Sequence, residues 1–103
     1  MSEKEKEWYE RPYFLQITDL NKLNDKGSFT VARVIDGIHC VELHYIDGVA
    51  TIEYGTRIDD DYWESEIEEI NWFDKNISEE VMTNKLWDLF DKEYGENNYE
   101  KER

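Results

Sequence analysis

Three residues with metal-ligating or nucleophilic side chains lie at alternate positions near the middle of the chain: Cys40, Glu42 and His44. Side chains alternate between the two faces of a strand, so this spacing places all three on one face. A zinc ion needs several such groups to converge on one point. At about 3.4 Å per residue the three positions span about 13–14 Å, too far for a single ion. We therefore expect no metal or other cofactor, and we interpret His44 as a surface histidine.

A pair of carboxylates is the second chemical candidate, because the hairpin described below places Glu42 opposite Glu53. Opposed like charges destabilise a sheet and can raise the pKa of one carboxyl group. Paired carboxylates also perform acid–base chemistry, including glycoside hydrolysis. However, Arg33 is expected to lie diagonally from Glu42 and to neutralise it, and a flat sheet face offers no pocket. The sequence thus favours a protein that is not an enzyme, with Cys40 as a structural thiol.

The region from Asp59 to Asp74 contains eight acidic residues and no Lys, Arg or His. Aromatic and isoleucine side chains are interleaved with these acids. Docking to a basic groove would use both, because charge steers the encounter and aromatic side chains provide buried anchors. The alternative is that these aromatic residues form the core side of an amphipathic element. The candidate partner-binding residues are Asp59, Asp60, Asp61, Tyr62, Trp63, Glu64, Glu66, Glu68, Glu69 and Trp72.

The charge of the whole chain also favours a basic partner. Its 103 residues carry a formal net charge of −14. Nucleic acids and anionic membranes attract clusters of Lys and Arg, so direct binding to either is disfavoured and a basic protein is the expected partner. Aromatic residues make up 15% of the chain, which argues for a packed core instead of a disordered acidic tail. The simpler alternative is that the acidity only serves solubility.

Two Asp-Gly pairs, at positions 36–37 and 47–48, each lie between β-branched residues. Such a pair is a strong signal for a two-residue type I′ turn, which needs a positive φ at both positions. Two successive turns of this kind predict a three-stranded antiparallel meander. The predicted strands are Phe29–Ile35, Ile38–Ile46 and Val49–Ile58.

Two-residue turns determine which residues face each other. The first hairpin is predicted to pair Ile35 with Ile38, and the second to pair Ile46 with Val49. One face of the meander is then apolar and should be covered by a helix; it carries Ala32, Val34, Val41, Leu43, Tyr45, Ala50, Ile52, Tyr54 and Ile58. The other face is half exposed; it carries Arg33, Cys40, Glu42, His44, Thr51 and Glu53, with Phe29, Val31, Ile35, Ile38 and Ile46 toward its margins.

Three further segments complete the predicted fold. A β-rich composition predicts a strand over Tyr13–Leu20, and an apolar stripe at helical spacing predicts a helix over Glu79–Tyr94 with Ser78 as its N-cap. The spacing of Trp63, Ile67 and Ile70 favours a helix within residues 59–74, while a further strand stays open. The predicted class is α+β: an antiparallel meander of three to five strands, packed on one face by a C-terminal helix, with a second short acidic helix possible.

The domain organisation is simple. We interpret residues 1–12 as a flexible N-terminal arm, 13–95 as a single α+β domain, and 96–103 as a polar C-terminal tail. The charged start lacks the apolar segment of a signal peptide, which favours a cytoplasmic location. The single cysteine excludes an internal disulfide.

In charge and size the chain resembles small acidic phage-encoded proteins that block host defence nucleases, anti-CRISPR proteins included. It also resembles acidic immunity proteins that neutralise nuclease toxins. The resemblance implies a non-catalytic inhibitor that mimics nucleic acid and covers the basic groove of a nuclease or defence protein in the cytoplasm of a host cell. The alternative is a small interaction or assembly module with an apolar partner surface; an enzyme ranks third.

Overall fold

The computed structural model describes residues 12–95. The predicted tail, and the predicted arm apart from Pro12, lie outside the described residues. Five strands form one antiparallel sheet in chain order, followed by a C-terminal helix, which confirms the predicted α+β class. The elements are β1 (Tyr13–Gln16), β2 (Ser28–Ile35), β3 (His39–Ile46), β4 (Val49–Asp59), β5 (Tyr62–Glu69) and α1 (Glu79–Phe90).

The hairpin between β3 and β4 has the predicted register. Asp47 and Gly48 both have positive φ, at 50° and 83°, as a two-residue type I′ turn requires. Ile46 therefore lies opposite Val49, and Glu42 lies opposite Glu53.

The predicted register of the hairpin between β2 and β3 is wrong, because Ile35 pairs with Cys40 and not with Ile38. The carboxylate of Asp36 accepts hydrogen bonds from the backbone N–H groups of Ile38 and His39, at 2.7 and 2.6 Å. These bonds stabilise a wider loop, and Asp36 itself is buried. The shift is two residues, so the side chains keep their predicted faces.

An irregularity between Thr30 and Ala32 changes the faces in the first half of β2. Val31 is fully buried in the core, although it was predicted at the margin of the half-exposed face. Thr30 instead lies opposite His44 on that half-exposed face. A bulge of this kind inserts one extra residue and re-aims the side chains that precede it. The predicted strand at Tyr13–Leu20 is shorter, since β1 ends at Gln16 and a 3-10 turn covers Leu20–Lys22.

Helix α1 covers one face of the sheet, which we call the covered face. Ser78 caps the helix as predicted, with its Oγ accepting from the N–H of Val81 at 3.1 Å. The helix continues as a π-helical turn over Asp91–Gly95, so helical structure reaches the predicted end near Tyr94. The largest fully buried side chains of this layer come from the sheet and from α1: Val31, Val34, Val41, Leu43, Ile52, Met82, Leu86 and Phe90. Between Pro12 and Gly95, neither the length nor the apolar character of any helix is sufficient to cross a membrane.

The helix favoured within residues 59–74 is wrong, since this region forms β5 and pairs antiparallel with β4. The run of aspartates makes the turn between the two strands: Asp59 accepts a hydrogen bond from the backbone N–H of Asp61 at 2.9 Å. Pairing with β4 provides hydrogen-bond partners for the backbone N–H and C=O groups along one side of β5. The apolar residues of the expected helix do not share one environment: Ile67 is 65% exposed, whereas Ile70, just beyond β5, packs against the core.

Candidate functional site

Two regions of the sheet carry acidic side chains in very different surroundings. The first, which we call the acidic edge, comprises residues 59–69, that is, the β4–β5 turn and edge strand β5. The second, which we call the open-face cluster, comprises Arg33, Glu42, His44 and Glu53 on the face that α1 leaves uncovered. We refer to that uncovered face as the open face.

The register of β5 divides its side chains between the two faces. Glu64, Glu66 and Glu68 lie opposite Thr56, Tyr54 and Ile52, and therefore form a row on the covered-face side. Trp63, Ser65, Ile67 and Glu69 alternate with them on the open-face side. The strand thus brings three of the predicted acidic residues into one line and turns Glu69 away from them.

The acids of β5 lack basic neighbours. Every residue of β5 is exposed. Among residues 12–95, no Lys, Arg or His side chain lies within 4.0 Å of a carboxylate oxygen of β5. The adjoining turn contains one ion pair, between Arg57 Nη2 and Asp60 Oδ1 at 2.8 Å. Apart from Asp60, the edge therefore presents carboxylates that have no ion-pair partner in the described part of the chain.

The predicted aromatic anchors differ in position. Tyr62 and Trp63 are 53% and 39% exposed at the start of β5. The ring of Trp63 lies against Gly55, where an added Cβ would be 3.4 Å from its Cε3 atom. Trp72 lies beyond the strand and packs against the core, with Lys85 Nζ 5.8 Å from its ring centroid. Trp72 also lines a shallow depression of about 430 Å³ with Glu68 and Glu69, so it lies beside the last glutamate of the row, at the opposite end of β5 from Tyr62 and Trp63.

A shallow groove of about 390 Å³ runs beside the row of glutamates, between β5 and the end of the helical segment. Its acidic lining comes from Glu64, Glu66 and Glu93. Tyr54 also lines the groove; burial raises its pKa, and the neighbouring Glu68 and Glu93 raise it further. A cationic side chain entering this groove would meet carboxylates from two elements.

The open-face cluster is a connected network. Arg33 Nη2 lies 2.7 Å from Glu42 Oε2, directly across the strands and not on the predicted diagonal. His44 Nε2 lies 3.3 Å from Glu42 Oε1 and 3.0 Å from Glu53 Oε1. His44 Nδ1 lies 3.2 Å from the Oγ1 of Thr30. The cluster therefore pairs the opposed Glu42 and Glu53 with Arg33 and, when its imidazole is protonated, with His44.

Protonation of the cluster follows from these contacts. The hydrogen bond to Glu42 raises the pKa of His44, partly opposed by burial and supported by Glu53. The hydrogen bond from His44 likewise lowers the pKa of Glu42, and Arg33 adds to this effect. His44 is thus more than the surface histidine expected from the sequence.

The open face is not flat, contrary to expectation. A trough of about 450 Å³ is lined by Arg33, Glu42, Glu53, Trp63 and Cys40, among others. Burial raises the pKa of the Cys40 thiol to about 12, and nearby Glu42 adds to the shift. A thiol with this pKa stays protonated at neutral pH and is a poor nucleophile, as expected for a structural cysteine.

Two contacts of His44 in this site, with Glu53 and with Thr30, were not predicted from the sequence. The contact of His44 with Glu53 could have been predicted, because the predicted second hairpin places these two residues diagonally across neighbouring strands. The contact with Thr30 could not have been predicted, because no Gly or Pro in the sequence marks the bulge that brings Thr30 to the open face. Comparison with protein-family models, curated proteins and solved structures finds no match to this chain.

Proposed function

We propose that this protein is an acidic, non-catalytic inhibitor that binds the basic nucleic-acid-binding groove of a nuclease or defence protein. The acidic edge is the binding surface, and the partner is a basic protein. The observation that carries the proposal is the row of Glu64, Glu66 and Glu68, exposed and without a basic neighbour within residues 12–95.

The spacing of the row suits mimicry of a phosphate backbone. Alternate residues of a strand are about 6.8 Å apart, at about 3.4 Å per residue. Duplex DNA carries one charge per about 3.4 Å of helix axis on each strand, and neighbouring phosphates lie further apart in space than this rise because the strand winds around the axis. The spacing of the row is therefore of the same order as the spacing of phosphates along one strand. Because β5 is hydrogen-bonded to β4 along its length, the carboxylates start from a rigid backbone, which lowers the entropy cost of binding.

Protection of the sheet edge is the simpler explanation for charges on β5. Charged side chains on an edge strand prevent pairing with other chains, and Lys is especially common in this role. Edge protection therefore does not explain why residues 59–74 contain eight acids and no base. A requirement for one sign of charge is better explained by a partner of the opposite sign.

Tyr62 and Trp63 supply the apolar part of the proposed surface. Both lie at the end of β5 next to the Asp59–Asp61 turn, and both retain substantial exposed area. Aromatic side chains are enriched among the residues that contribute most binding energy in protein interfaces. We therefore assign steering to the carboxylates and anchoring to these two rings.

A displacement experiment tests the proposal. Basic nucleases are each loaded with fluorescent duplex DNA or RNA, and displacement by this protein is followed by anisotropy at several salt concentrations. The test variant is Glu64→Lys/Glu66→Lys. The control is Glu80→Lys/Asp88→Lys, which makes the same charge change at exposed positions of α1. We expect the control to displace nucleic acid and the β5 variant not to, with circular dichroism unchanged for both.

An equal loss in both variants would show that only net charge matters, and would remove the assignment to the acidic edge. Undiminished displacement by the β5 variant would contradict the proposal outright.

A second candidate function is a small interaction or assembly module, or an immunity protein to a nuclease toxin, whose acidity mainly serves solubility. Exposed apolar side chains at both edges of the open face favour it: Leu15 is 42% exposed and Ile67 is 65% exposed. Binding through these side chains would be nearly independent of salt and would be lost on Ile67→Ser. Binding through the acidic edge would weaken steeply as salt rises.

A further inference from the structure

We propose that Glu42, His44 and Glu53 form a binding site for a divalent first-row transition metal ion such as Zn²⁺. Each residue offers one ligand atom, and these atoms all lie within 4.8 Å of one another. The site is separate from the acidic edge and does not depend on the function proposed for that edge.

The separations within the cluster match a tetrahedral site. Zn–N and Zn–O bonds are about 2.0–2.2 Å long, which makes the edge of a coordination tetrahedron about 3.3–3.6 Å. His44 Nε2 is 3.3 Å from Glu42 Oε1 and 3.0 Å from Glu53 Oε1. Two of the three ligand separations are therefore within a few tenths of an ångström of a tetrahedral edge, and the third, between the Glu42 and Glu53 oxygens, is no more than 4.8 Å.

Two outer contacts orient the ligands. Thr30 Oγ1 lies 3.2 Å from His44 Nδ1, so Nδ1–H can donate to it and leave the Nε2 lone pair for a metal. Arg33 Nη2 binds Glu42 Oε2 at 2.7 Å and leaves Oε1 free. Metal-ligating histidines and carboxylates usually have such partners, and losing one typically weakens metal affinity by about 10–100-fold.

The site also has room for a fourth ligand. Glu42 and Glu53 line the open-face trough of about 450 Å³. A water molecule or a small anionic group could complete the coordination from that side, as in zinc sites with three protein ligands. The bound ion would replace the Nε2 hydrogen that joins His44 to the two carboxylates.

The ligand types distinguish this site from general attraction of cations to an acidic protein. Carboxylates alone suit Mg²⁺ and Ca²⁺, whereas imidazole favours zinc, copper and nickel. The acidic edge contains carboxylates without imidazole. Zn²⁺ should therefore bind to the open-face cluster in the presence of excess Mg²⁺, while the acidic edge remains occupied only by the hard cation.

The test uses the full chain without an affinity tag, first freed of metal with a chelator and then titrated with Co²⁺ in excess Mg²⁺. We expect one equivalent of Co²⁺ to produce a visible d–d absorption band that Zn²⁺ removes by competition. His44→Gln and Glu53→Gln should each weaken binding by at least about tenfold. The control Glu66→Gln/Glu68→Gln removes more negative charge than either but leaves the cluster intact, so it should bind as wild type.

Equal affinity in wild type, His44→Gln and Glu53→Gln would overturn the proposal, as would a loss in the control as large as theirs. Absence of the band in the wild type would overturn it as well. If a cluster variant fails to fold, ¹⁵N spectra of the wild-type imidazoles decide the matter. Zn²⁺ should shift the Nε2 resonance of His44 and leave that of His39, which lies on the covered face, unchanged; a response at neither or at both would contradict the proposal.

Discussion

The acidic edge and the open-face cluster place the same side chain in opposite circumstances. Glu42 and Glu53 sit on central strands, partly buried, with Arg33 and His44 within 3.3 Å. The glutamates of β5 are exposed and have no basic neighbour within residues 12–95. The carboxylates of the cluster therefore take part in contacts that stabilise the sheet. The glutamates of β5 take part in none within these residues, so folding does not explain their presence.

The difference has an energetic meaning. Opposed glutamates on neighbouring strands repel, and the cluster offsets this repulsion with charge-assisted hydrogen bonds. Unpaired charges on the edge add to the self-repulsion of a chain with a net charge of −14. Mutations should therefore damage stability in the cluster and binding at the edge.

The largest expected effect is on binding. Replacing Glu64, Glu66 and Glu68 together by Gln removes the row without changing side-chain size. We expect affinity for the basic partner to fall by about 100-fold, equivalent to about 2.7 kcal/mol, at low salt. The midpoint of thermal unfolding should stay the same or rise, because repulsion is relieved. Isothermal titration calorimetry and differential scanning calorimetry measure the two effects; unchanged affinity would end the distinction between the regions.

The next effect is on stability, in the cluster. Arg33→Met leaves Glu42 facing Glu53 with only His44 between them, and we expect a loss of about 1–2 kcal/mol in the free energy of unfolding. Urea denaturation in the presence of chelator measures it. The double variant Arg33→Met/Glu42→Met should recover most of the loss, since no unpaired charge remains. Failure to recover would show that Arg33 acts through packing instead of charge.

A smaller effect depends on pH. The raised pKa of His44 means that its protonated form is stabilised by folding. Its contribution is complete below the ordinary pKa of 6.5 and is lost as the pH rises through the raised value. Glu42 behaves in the opposite sense: its contribution is complete above the ordinary pKa of 4.5 and is lost as the pH falls through the lowered value.

The stability difference between wild type and His44→Gln should therefore be largest between pH 4.5 and 6.5 and should shrink toward pH 9. Urea midpoints across this range, with chelator present, provide the measurement. A difference that grows toward alkaline pH would have the wrong sign for this network.

The smallest effect is expected from a single neutralisation on the edge. Glu66→Gln should shift the thermal midpoint by less than about 4 °C, because exposed substitutions without partners rarely change stability. Glu42→Gln, the matched change in the cluster, should lower the midpoint by more. Similar changes in the thermal midpoint for Glu66→Gln and Glu42→Gln would show that the edge and the cluster do not differ in their contribution to stability.

The parts of the fold that could be predicted are those that short sequence motifs determine locally. The β3–β4 hairpin was correct residue by residue because Asp47 and Gly48 both adopt the positive φ that their types favour. The same dipeptide at 36–37 gave a wrong register for the β2–β3 hairpin, because the carboxylate of Asp36 accepts hydrogen bonds from two backbone N–H groups and stabilises a wider loop. Pairing in that loop depended on a side-chain bond that a turn motif does not specify.

The acidic edge was found by composition, but its conformation was not. Trp63 and Ile67 fit helical spacing as well as any strand pattern, and only the free edge of β4 decides between them. The cluster was found in part: the Glu42–Glu53 opposition followed from the hairpin, while Thr30 depended on a bulge. Periodicity predicts faces, and it fails where a tertiary contact or an extra residue changes them.

The claim that the acidic edge is the binding surface is tested most directly by amide hydrogen exchange of this protein, alone and in complex with the basic nuclease that it displaces from nucleic acid. We expect slower exchange across residues 59–69 in the complex and unchanged exchange in β3, which carries Glu42 and His44. Protection of the open face with residues 59–69 unaffected would contradict it.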